Sequence, residues 1–275
     1  MRLAGRVIGN NDEVASPRTP HDDDLALALE LADLADGITL PRYRNRSFTV
    51  KHKDDRSEVT EADRGTESAL RAVLRDRRPD HAVLGEEEGL VGPADARHRW
   101  IIDPIDGTSN FVKHVPIWAT LIALEVDGEI VVGVCSAPAL GRRWWAVRGG
   151  GAFADGASIG VSDVVDLAEA HLGYSDIGSF VRSGLGAQLS DLAASVWRGR
   201  GLGDFWMHVL VAEGSMDVAA EAIVNVWDVA AIQIIVEEAG GRFTDLTGRA
   251  SPDGGSAVST NGRLHDEVLA RLAPR

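Results

Sequence analysis

The sequence predicts a layered fold of mixed helices and strands, of the α+β or α/β class. Three observations support it: helical spacing of apolar residues near the N-terminus, two apolar strands joined at Asp127-Gly128, and further helical patterns after residue 204. A hydrophobic content of 44% in 275 residues is enough for a large core, so we expect a single unit over residues 21–275. Residues 1–20 lack sustained periodicity and are expected to form a flexible extension.

Two helices are predicted in the first 80 residues. The first spans Asp22 to Leu40, and its apolar residues recur at helical spacing as Leu27, Leu31, Leu34 and Ile38. The second starts with a capping box formed by Thr60 and Asp63 and should end before Pro79. Its apolar face consists of Ala69, Leu70, Val73 and Leu74.

The middle of the chain is predicted to form a sheet. Residues 118–126 and 130–137 are two apolar strands joined by Asp127-Gly128, the strongest short signal for a hairpin. Residues 143–147 predict a third strand, whose two tryptophans are expected to pack on the sheet. The triple glycine at residues 149–151 is expected to be a plain turn, because no Lys-Ser or Lys-Thr follows it as in a phosphate-binding loop.

Three helices are predicted in the last third of the chain. They cover residues 205–213, 229–239 and 264–272, with a Gly- and Pro-containing loop over residues 245–256. Gly240-Gly241 should stop the second of these helices. We expect that helix to have one apolar face, formed by Val229, Ile232, Ile235 and Val236.

The composition excludes several classes of function. Lys and Arg number 28 against 42 Asp and Glu, and the formal net charge of -14 disfavours binding to nucleic acid or to an anionic membrane. No apolar stretch approaches the ~20 residues that cross a bilayer. The single cysteine, Cys135, lies in an apolar run and is expected to be a buried small side chain, which fits a reducing cytoplasm.

Two carboxylates and a hydroxyl follow the apolar run at residues 100–102. Asp103 and Asp106 lie three residues apart, and Pro104 and Gly107 predict a tight turn that directs both acids into one cavity beside Thr108. Hard oxygen ligands of this kind suit magnesium better than zinc. An isolated acidic turn could equally be a solvated loop, so the interpretation depends on partners elsewhere.

Such partners are present in two other segments. Glu86 and Glu87 follow a predicted short strand at residues 82–84, and Asp228 lies at the start of the helix predicted from residue 229. The positive N-terminus of that helix favours an ionised carboxylate. Three separated segments can therefore converge on one metal site.

Together these segments resemble the inositol monophosphatase family of magnesium-dependent, lithium-sensitive phosphatases. The match runs in the family's order through Lys53–Asp63, Gly85–Glu87, Trp100–Phe111 and residues 227–241. It implies a five-layer αβαβα sandwich, a phosphatase catalytic unit over residues 21–275 and a homodimer. Glu58, where relatives often carry Pro or Leu, and the extra acid Glu88 depart from the pattern and are expected to touch no ligand.

The resemblance implies two or three Mg²⁺ ions and direct attack of water on a phosphate monoester. It assigns the first ion to Glu86, Asp103 and the backbone carbonyl of Ile105. It assigns the second ion to Asp103, Asp106 and Asp228.

By the same resemblance, Glu86 and Thr108 orient and activate the attacking water. Asp63 supports Thr108 and is also a candidate ligand for a third, weaker ion. The backbone amides of Gly107 and Thr108 are assigned to the phosphate oxygens, since helix N-termini favour anions.

The leaving alcohol is assigned to a later segment. Arg200 and Asp204 lie in the region where the family contacts this part of the substrate, and Glu221 takes the place of a further acid. An ammonium group on the alcohol would pair with these acids, whereas a neutral polyol has no need of them. The alternative role of Asp204 is a helix N-cap before Phe205.

Local similarity at residues 142–145, 198–200 and 203–205 is to the histidinol-phosphate phosphatase branch of the family, which implies histidinol phosphate as the substrate. Inositol-1-monophosphatase is the main alternative, and fructose-1,6-bisphosphatase and nucleotide 3'-phosphatase rank lower. A catalytically inactive binding protein of the same fold is disfavoured, because the acids and the hydroxyl assigned to catalysis are all present.

Overall fold

The computed structural model of the protein describes residues 19–52, 58–93 and 95–273. Residues 1–18 of the predicted extension and Lys53–Ser57 of the upstream motif lie outside this part. The helices are α1 (Asp22–Asn45), α2 (Glu61–Arg77), α3 (Thr108–Lys113), α4 (Ile177–Arg182), α5 (Gly186–Ser195), α6 (Asp204–Ala212), α7 (Val226–Glu238) and α8 (His265–Leu272). The strands are β1 (Val50–His52), β2 (Glu58–Thr60), β3 (Ala82–Gly85), β4 (Gly89–Val91), β5 (His98–Asp106), β6 (Ala119–Val126), β7 (Glu129–Ala137), β8 (Arg142–Val147), β9 (Gly151–Ala154), β10 (Ala157–Ser158), β11 (His171–Tyr174), β12 (Arg198–Gly201), β13 (Val218–Glu221), β14 (Arg242–Thr244) and β15 (Ala257–Thr260).

Two sheets alternate with three layers of helices, which confirms the five-layer sandwich. The first sheet has the order β10-β9-β8-β7-β6-β5-β3-β4, and the second has the order β12-β11-β13-β15-β14. Helices α1 and α2 cover the outer face of the first sheet, and α6 and α7 lie between the two sheets. Helices α4, α5 and α8 cover the outer face of the second sheet.

Strand β5 shows how the sequence builds both faces of the first sheet. Trp100 and Ile102 are buried against the outer helix layer, whereas Ile101 between them is buried in the cluster that contains α7. This alternation follows from the two-residue period of a strand, and it explains why a continuous apolar run is required. The hairpin between β6 and β7 is also as predicted, because Asp127 and Gly128 both have positive φ angles, of 52° and 87°.

The predicted end of α1 is wrong. The helix passes Pro41 and continues to Asn45, and its buried side carries small residues while Leu34 is 36% exposed. Tyr43 lies on this extra turn, where its ring is buried beside Phe111 and Trp118 and its hydroxyl donates to the carbonyl of His114 at 3.0 Å. This packing offsets the loss of a backbone hydrogen bond at the proline.

Helix α7 is buried on all sides, not on one face as predicted. Every residue from Val229 to Val236 is buried, because the helix lies between the two sheets. Gly133 of β7 allows this close approach, since a Cβ atom there would lie 2.5 Å from the carbonyl oxygen of Ala231. The helix stops as predicted at Gly240, whose φ angle is 88°.

Two smaller predictions are confirmed. Residues 149–151 form a turn, and the amides of Gly149 and Gly151 both donate to the carboxylate of Glu238 at 3.0 Å. Cys135 is buried and free. Among the described residues, no helix is long and apolar enough to span a membrane.

Candidate active site

A cavity of about 500 Å³ lies where β3 and β5 end and α3, α6 and α7 begin. Seven carboxylates line it, and no lysine, arginine or histidine does so in the part of the chain that the structure describes. The lining residues are Glu58, Glu86, Asp103, Ile105, Asp106, Gly107, Thr108, Ser109, Asn110, Asp204, Glu221, Ile223 and Asp228. A phosphate dianion would be repelled from this cavity unless cations entered with it.

Asp103 and Asp106 lie on β5 itself, so the predicted tight turn between them is wrong. On β6, Leu121 lies opposite Asp103 and Ala119 lies opposite Asp106. The β5 segment between these pairs has one residue more than the β6 segment, and this extra residue forms a bulge. The bulge brings acids that are three residues apart to one side of the strand. The turn comes one residue later, at Gly107, which has a φ angle of 80°.

The bulge is held by specific hydrogen bonds. The amide of Ile105 donates to Asp103 Oδ1 at 2.9 Å, and the hydroxyl of Thr120 donates to the carbonyl of Pro104 at 2.8 Å. The carbonyl oxygen of Ile105 lies 2.9 Å from the hydroxyl oxygen of Thr108. These contacts fix Asp103 in the bulge, beside the other acids of the cavity.

Asp103, Asp106 and Asp228 form a compact cluster. One carboxylate oxygen of each lies within 4.8 Å of the others. Asp228 arrives from the first turn of α7, where it closes a capping box by accepting from the amide of Asn225 at 2.7 Å. Since Glu86 also lines the cavity, the three predicted segments meet at one site.

The electrostatics of this cluster fit a divalent cation. Burial, followed by repulsion from Glu86 and Asp106, raises the pKa of Asp103 well above its usual value. Burial also raises the pKa of Asp106 well above its usual value and that of Asp228 to about 7. Since a cation removes this penalty, and carboxylates are hard ligands, the cluster suits an ion such as magnesium.

A buried carboxylate on α2 holds the loop that carries Glu86. Glu67 of α2 is fully buried and accepts from the amides of Glu87 and Glu88 at 2.7 and 3.0 Å. Arg71 donates to the same carboxylate at 2.8 Å and to the carbonyl of Val83 at 3.2 Å. Sequence reasoning missed this support, because a Glu and an Arg four residues apart on a helix are typical of an exposed ion pair.

Asp63 supports Thr108 without lining the cavity. The predicted capping box is confirmed, since Asp63 Oδ2 accepts from the amide and hydroxyl of Thr60 at 2.8 and 2.6 Å. Its other oxygen lies 3.2 Å from the hydroxyl of Thr108. Burial raises the pKa of Asp63 to about 6.

The two departures from the family pattern lie in different places. Glu58 lines the cavity but replaces none of the residues assigned to the ions, and its buried Oε2 has no hydrogen-bond partner among the described residues. Glu88 is half exposed and lies 3.7 Å from the Arg71 guanidinium, outside the cavity.

Asp204 and Glu221 form the far side of the cavity. Asp204 has a strained φ angle of 52° and accepts from the Nδ2 amide of Asn110 at 2.8 Å. Its alternative role as an N-cap is wrong, because Gly203 is the capping residue and the amide of Phe205 donates to Asp106 at 2.8 Å. Burial raises the pKa of Asp204 to about 7.

Glu221 is the most strongly shifted acid on this side. It ends β13, and burial raises its pKa to about 8. A second cavity of about 440 Å³ shares Asn110, Asp204, Glu221 and Ile223 with the first and extends toward Arg182. The site therefore has one side with the Asp103 cluster and another side, from residues after 200, that opens into additional space.

Arg200 lies away from both cavities. It is exposed on β12, an edge strand of the second sheet, and donates to the carbonyl of Gly199 at 2.9 Å. Its assignment to the substrate stays a prediction.

The fold and the site together define a phosphoric monoester hydrolase built around an acidic, metal-binding cavity. The chain belongs to the inositol monophosphatase family, whose model matches residues 22–274.

Similarity to individual proteins extends over nearly the whole chain. The histidinol-phosphatase of Mycobacterium tuberculosis is 54% identical over 255 residues, which cover 91% of this chain and 98% of that protein. The histidinol-phosphatase of Streptomyces coelicolor is 47% identical and covers 92% and 98%. The solved structure of an inositol monophosphatase from Zymomonas mobilis superposes with a TM-score of 0.82 at 32% identity, covering 93% of this chain and 99% of that one.

Proposed function

We propose that the protein hydrolyses L-histidinol phosphate to L-histidinol and phosphate, with Mg²⁺ and by direct attack of water. The observation that carries this proposal is the pair of partly buried acids, Asp204 and Glu221, across the cavity from the Asp103 cluster. The two similar histidinol-phosphatases support the same substrate. The family resemblance supports a homodimer and sensitivity to lithium.

Apart from Asp63, the residues that would hold two or three ions all line the cavity. They are Glu86, Asp103, the carbonyl of Ile105, Asp106 and Asp228, with Asp63 as a ligand for a weaker ion. Bound magnesium would supply positive charge against the phosphoryl oxygens and lower the pKa of water. Without such charge, the cavity would repel its own substrate.

The chain's own groups act on the water and on the phosphate. Thr108 donates its hydroxyl hydrogen to Asp63, which leaves its lone pairs free to accept from the attacking water. Glu86 accepts the second proton of that water as the new bond to phosphorus forms and the bond to the histidinol oxygen breaks. The amides of Gly107 and Thr108 bind phosphate oxygens. The leaving alkoxide takes a proton from solvent water, and Glu86 returns the proton that it accepted to solvent.

Asp204 and Glu221 select the leaving group by charge. A positive group beside an acid with a raised pKa lowers that pKa and favours the ionised form. The ammonium of histidinol supplies that charge, and Arg200 would need a different side-chain position to reach the substrate. A neutral polyol such as inositol leaves both acids without a cation, although the Zymomonas mobilis structure keeps inositol phosphate as the second candidate.

With Mg²⁺ present, the wild-type protein should favour histidinol phosphate over inositol 1-phosphate by at least ~10-fold in kcat/KM, the value of one charge-assisted hydrogen bond. Phosphate release from both esters at equal enzyme concentration measures this. A preference for inositol 1-phosphate would contradict the proposal and favour the second candidate function, that of an inositol-1-monophosphatase.

Asp204→Asn and Glu221→Gln should each lower kcat/KM for histidinol phosphate by ~10- to 100-fold, since each removes a charge that pairs with the ammonium. The loss for glycerol 2-phosphate, an uncharged alcohol ester, should be much smaller because the phosphate contacts remain. Asp253→Asn is the matched control, as Asp253 is exposed and does not line the cavity. Equal losses for both esters would contradict the charge-based selection.

A further inference from the structure

Behind Glu221, a buried line of polar groups leads away from the cavity. The Nε2 atom of His208, on α6, lies 3.1 Å from Glu221 Oε1. The Nδ1 atom of the same ring lies 2.7 Å from the hydroxyl oxygen of Ser259, on β15. His208 and Ser259 are 1% and 0% exposed, and neither lines either of the two joined cavities.

The chemistry of this line is set by a neutral imidazole. Burial lowers the pKa of His208 to about 3, so the ring carries one N–H and one lone pair. When Glu221 is ionised, Nε2 must carry the hydrogen and donate it to the carboxylate. Nδ1 then accepts from the hydroxyl of Ser259, whose hydrogen can rotate to suit.

We propose that His208, held in the Nε2–H tautomer by Ser259, is a positioning residue that orients the Glu221 carboxylate toward the ammonium of the substrate. This inference rests on the proposed function of the site. Glu221 has three side-chain torsions, and its hydrogen bond with the side chain of Ser175, which lines the second cavity, would not by itself fix all three. A second contact from behind restricts it, as supporting hydrogen bonds do for binding groups in general.

A second buried histidine shows what a purely structural role looks like. His265 is also fully buried, and its two ring nitrogens lie 2.8 and 3.0 Å from the hydroxyls of Thr244 and Thr260. It therefore joins β14 and β15 with the same kind of hydrogen bonds. His265 contacts no residue that lines the cavity through these bonds, which makes it a matched control for burial and hydrogen bonding.

Two substitutions of His208 separate its two contacts. The amide nitrogen of Gln can occupy the Nε2 position and donate to Glu221, whereas that of Asn reaches only the Nδ1 position beside Ser259. His208→Asn should lower kcat/KM for histidinol phosphate ~10-fold more than for glycerol 2-phosphate, mainly through KM. His208→Gln should recover most of that selectivity.

The outcomes distinguish this inference from a structural role and from the proposed function. Equal losses for both esters, or equal effects of Asn and Gln, would overturn the positioning role. His265→Asn should reduce thermal stability without changing the ratio of the two esters. If the wild type fails to hydrolyse histidinol phosphate, the proposed function fails, whatever the His208 variants do.

A spectroscopic measurement on the wild-type protein does not depend on whether the His208 variants fold. In protein labelled with ¹⁵N-histidine, saturated with Mg²⁺ and the product histidinol, the His208 ring should show the Nε2–H tautomer. Ser259→Ala removes the partner of Nδ1 and should mix the two tautomers. A dominant Nδ1–H tautomer in the wild-type complex would mean that His208 accepts a hydrogen from a neutral Glu221, and it would overturn the inference.

Discussion

Asp103→Asn should lower kcat by about a thousandfold, which corresponds to about 4 kcal/mol of transition-state stabilisation supplied by the cations. The substitution removes the charge at the centre of the acidic cluster without changing side-chain size. The amide oxygen can still accept from the backbone of Ile105, so the bulge in β5 should persist. The loss should therefore appear in turnover and not in folding.

Thermal unfolding with and without Mg²⁺ tests directly whether Asp103→Asn affects metal binding without affecting folding. Asparagine is the neutral isostere of the protonated acid that burial favours at this position, so the metal-free variant should be at least as stable as the wild type. The wild type should gain stability from Mg²⁺, and the variant should gain little. Asp80→Asn, at an exposed acid, is the control, and near-normal turnover in Asp103→Asn would refute the assignment of the cluster.

Gly85→Ala should reduce both stability and activity, although it adds a single methyl group. The new Cβ atom would lie 2.2 Å from Oε1 of Glu67, which cannot move without releasing Arg71 and the amides of Glu87 and Glu88. Breaking a buried, hydrogen-bonded ion pair costs about 3–5 kcal/mol. The loop that carries Glu86 would then lose its support.

Urea unfolding monitored by tryptophan fluorescence measures the loss of stability, and phosphate release measures the loss of activity. Gly65→Ala is the matched control, because Gly65 lies on the same helix as Glu67 and a Cβ atom there meets nothing within 4 Å. That variant should gain up to about 1 kcal/mol from better helix propensity. If Gly85→Ala left stability and turnover unchanged, Glu67 would not be what holds the loop.

The features that the sequence predicts best depend on few neighbouring residues. The capping box of Thr60 and Asp63 spans four positions, and the hairpin at Asp127-Gly128 requires only two residues that tolerate positive φ angles. The convergence of three acidic segments is also predicted, because Glu86 follows a strand, Asp103 and Asp106 come at the end of an apolar run, and Asp228 opens a helix. The residue types within these short segments are enough to predict these features.

The features that the sequence does not predict depend on tertiary contacts. Helix α1 continues past Pro41 because Tyr43 packs in a buried aromatic cluster with Phe111 and Trp118. Helix α7 is buried on every side because the second sheet covers the side that faces away from the first sheet. The contact of His208 with Ser259 joins residues 51 positions apart, and no periodicity or motif indicates it.

The two sides of the cavity come from different stretches of the chain. Glu86, Asp103 and Thr108 belong to the first half, whereas Asp204 and Glu221 belong to a later segment, with Asp228 as the acid that this later half adds to the cluster. A duplicated gene could therefore acquire a new leaving alcohol by mutating residues near 204 and 221, while selection preserved the older phosphate chemistry. In such a scaffold the substrate can change without loss of the catalytic residues. Directed evolution confined to the later segment should therefore give a high proportion of active enzymes.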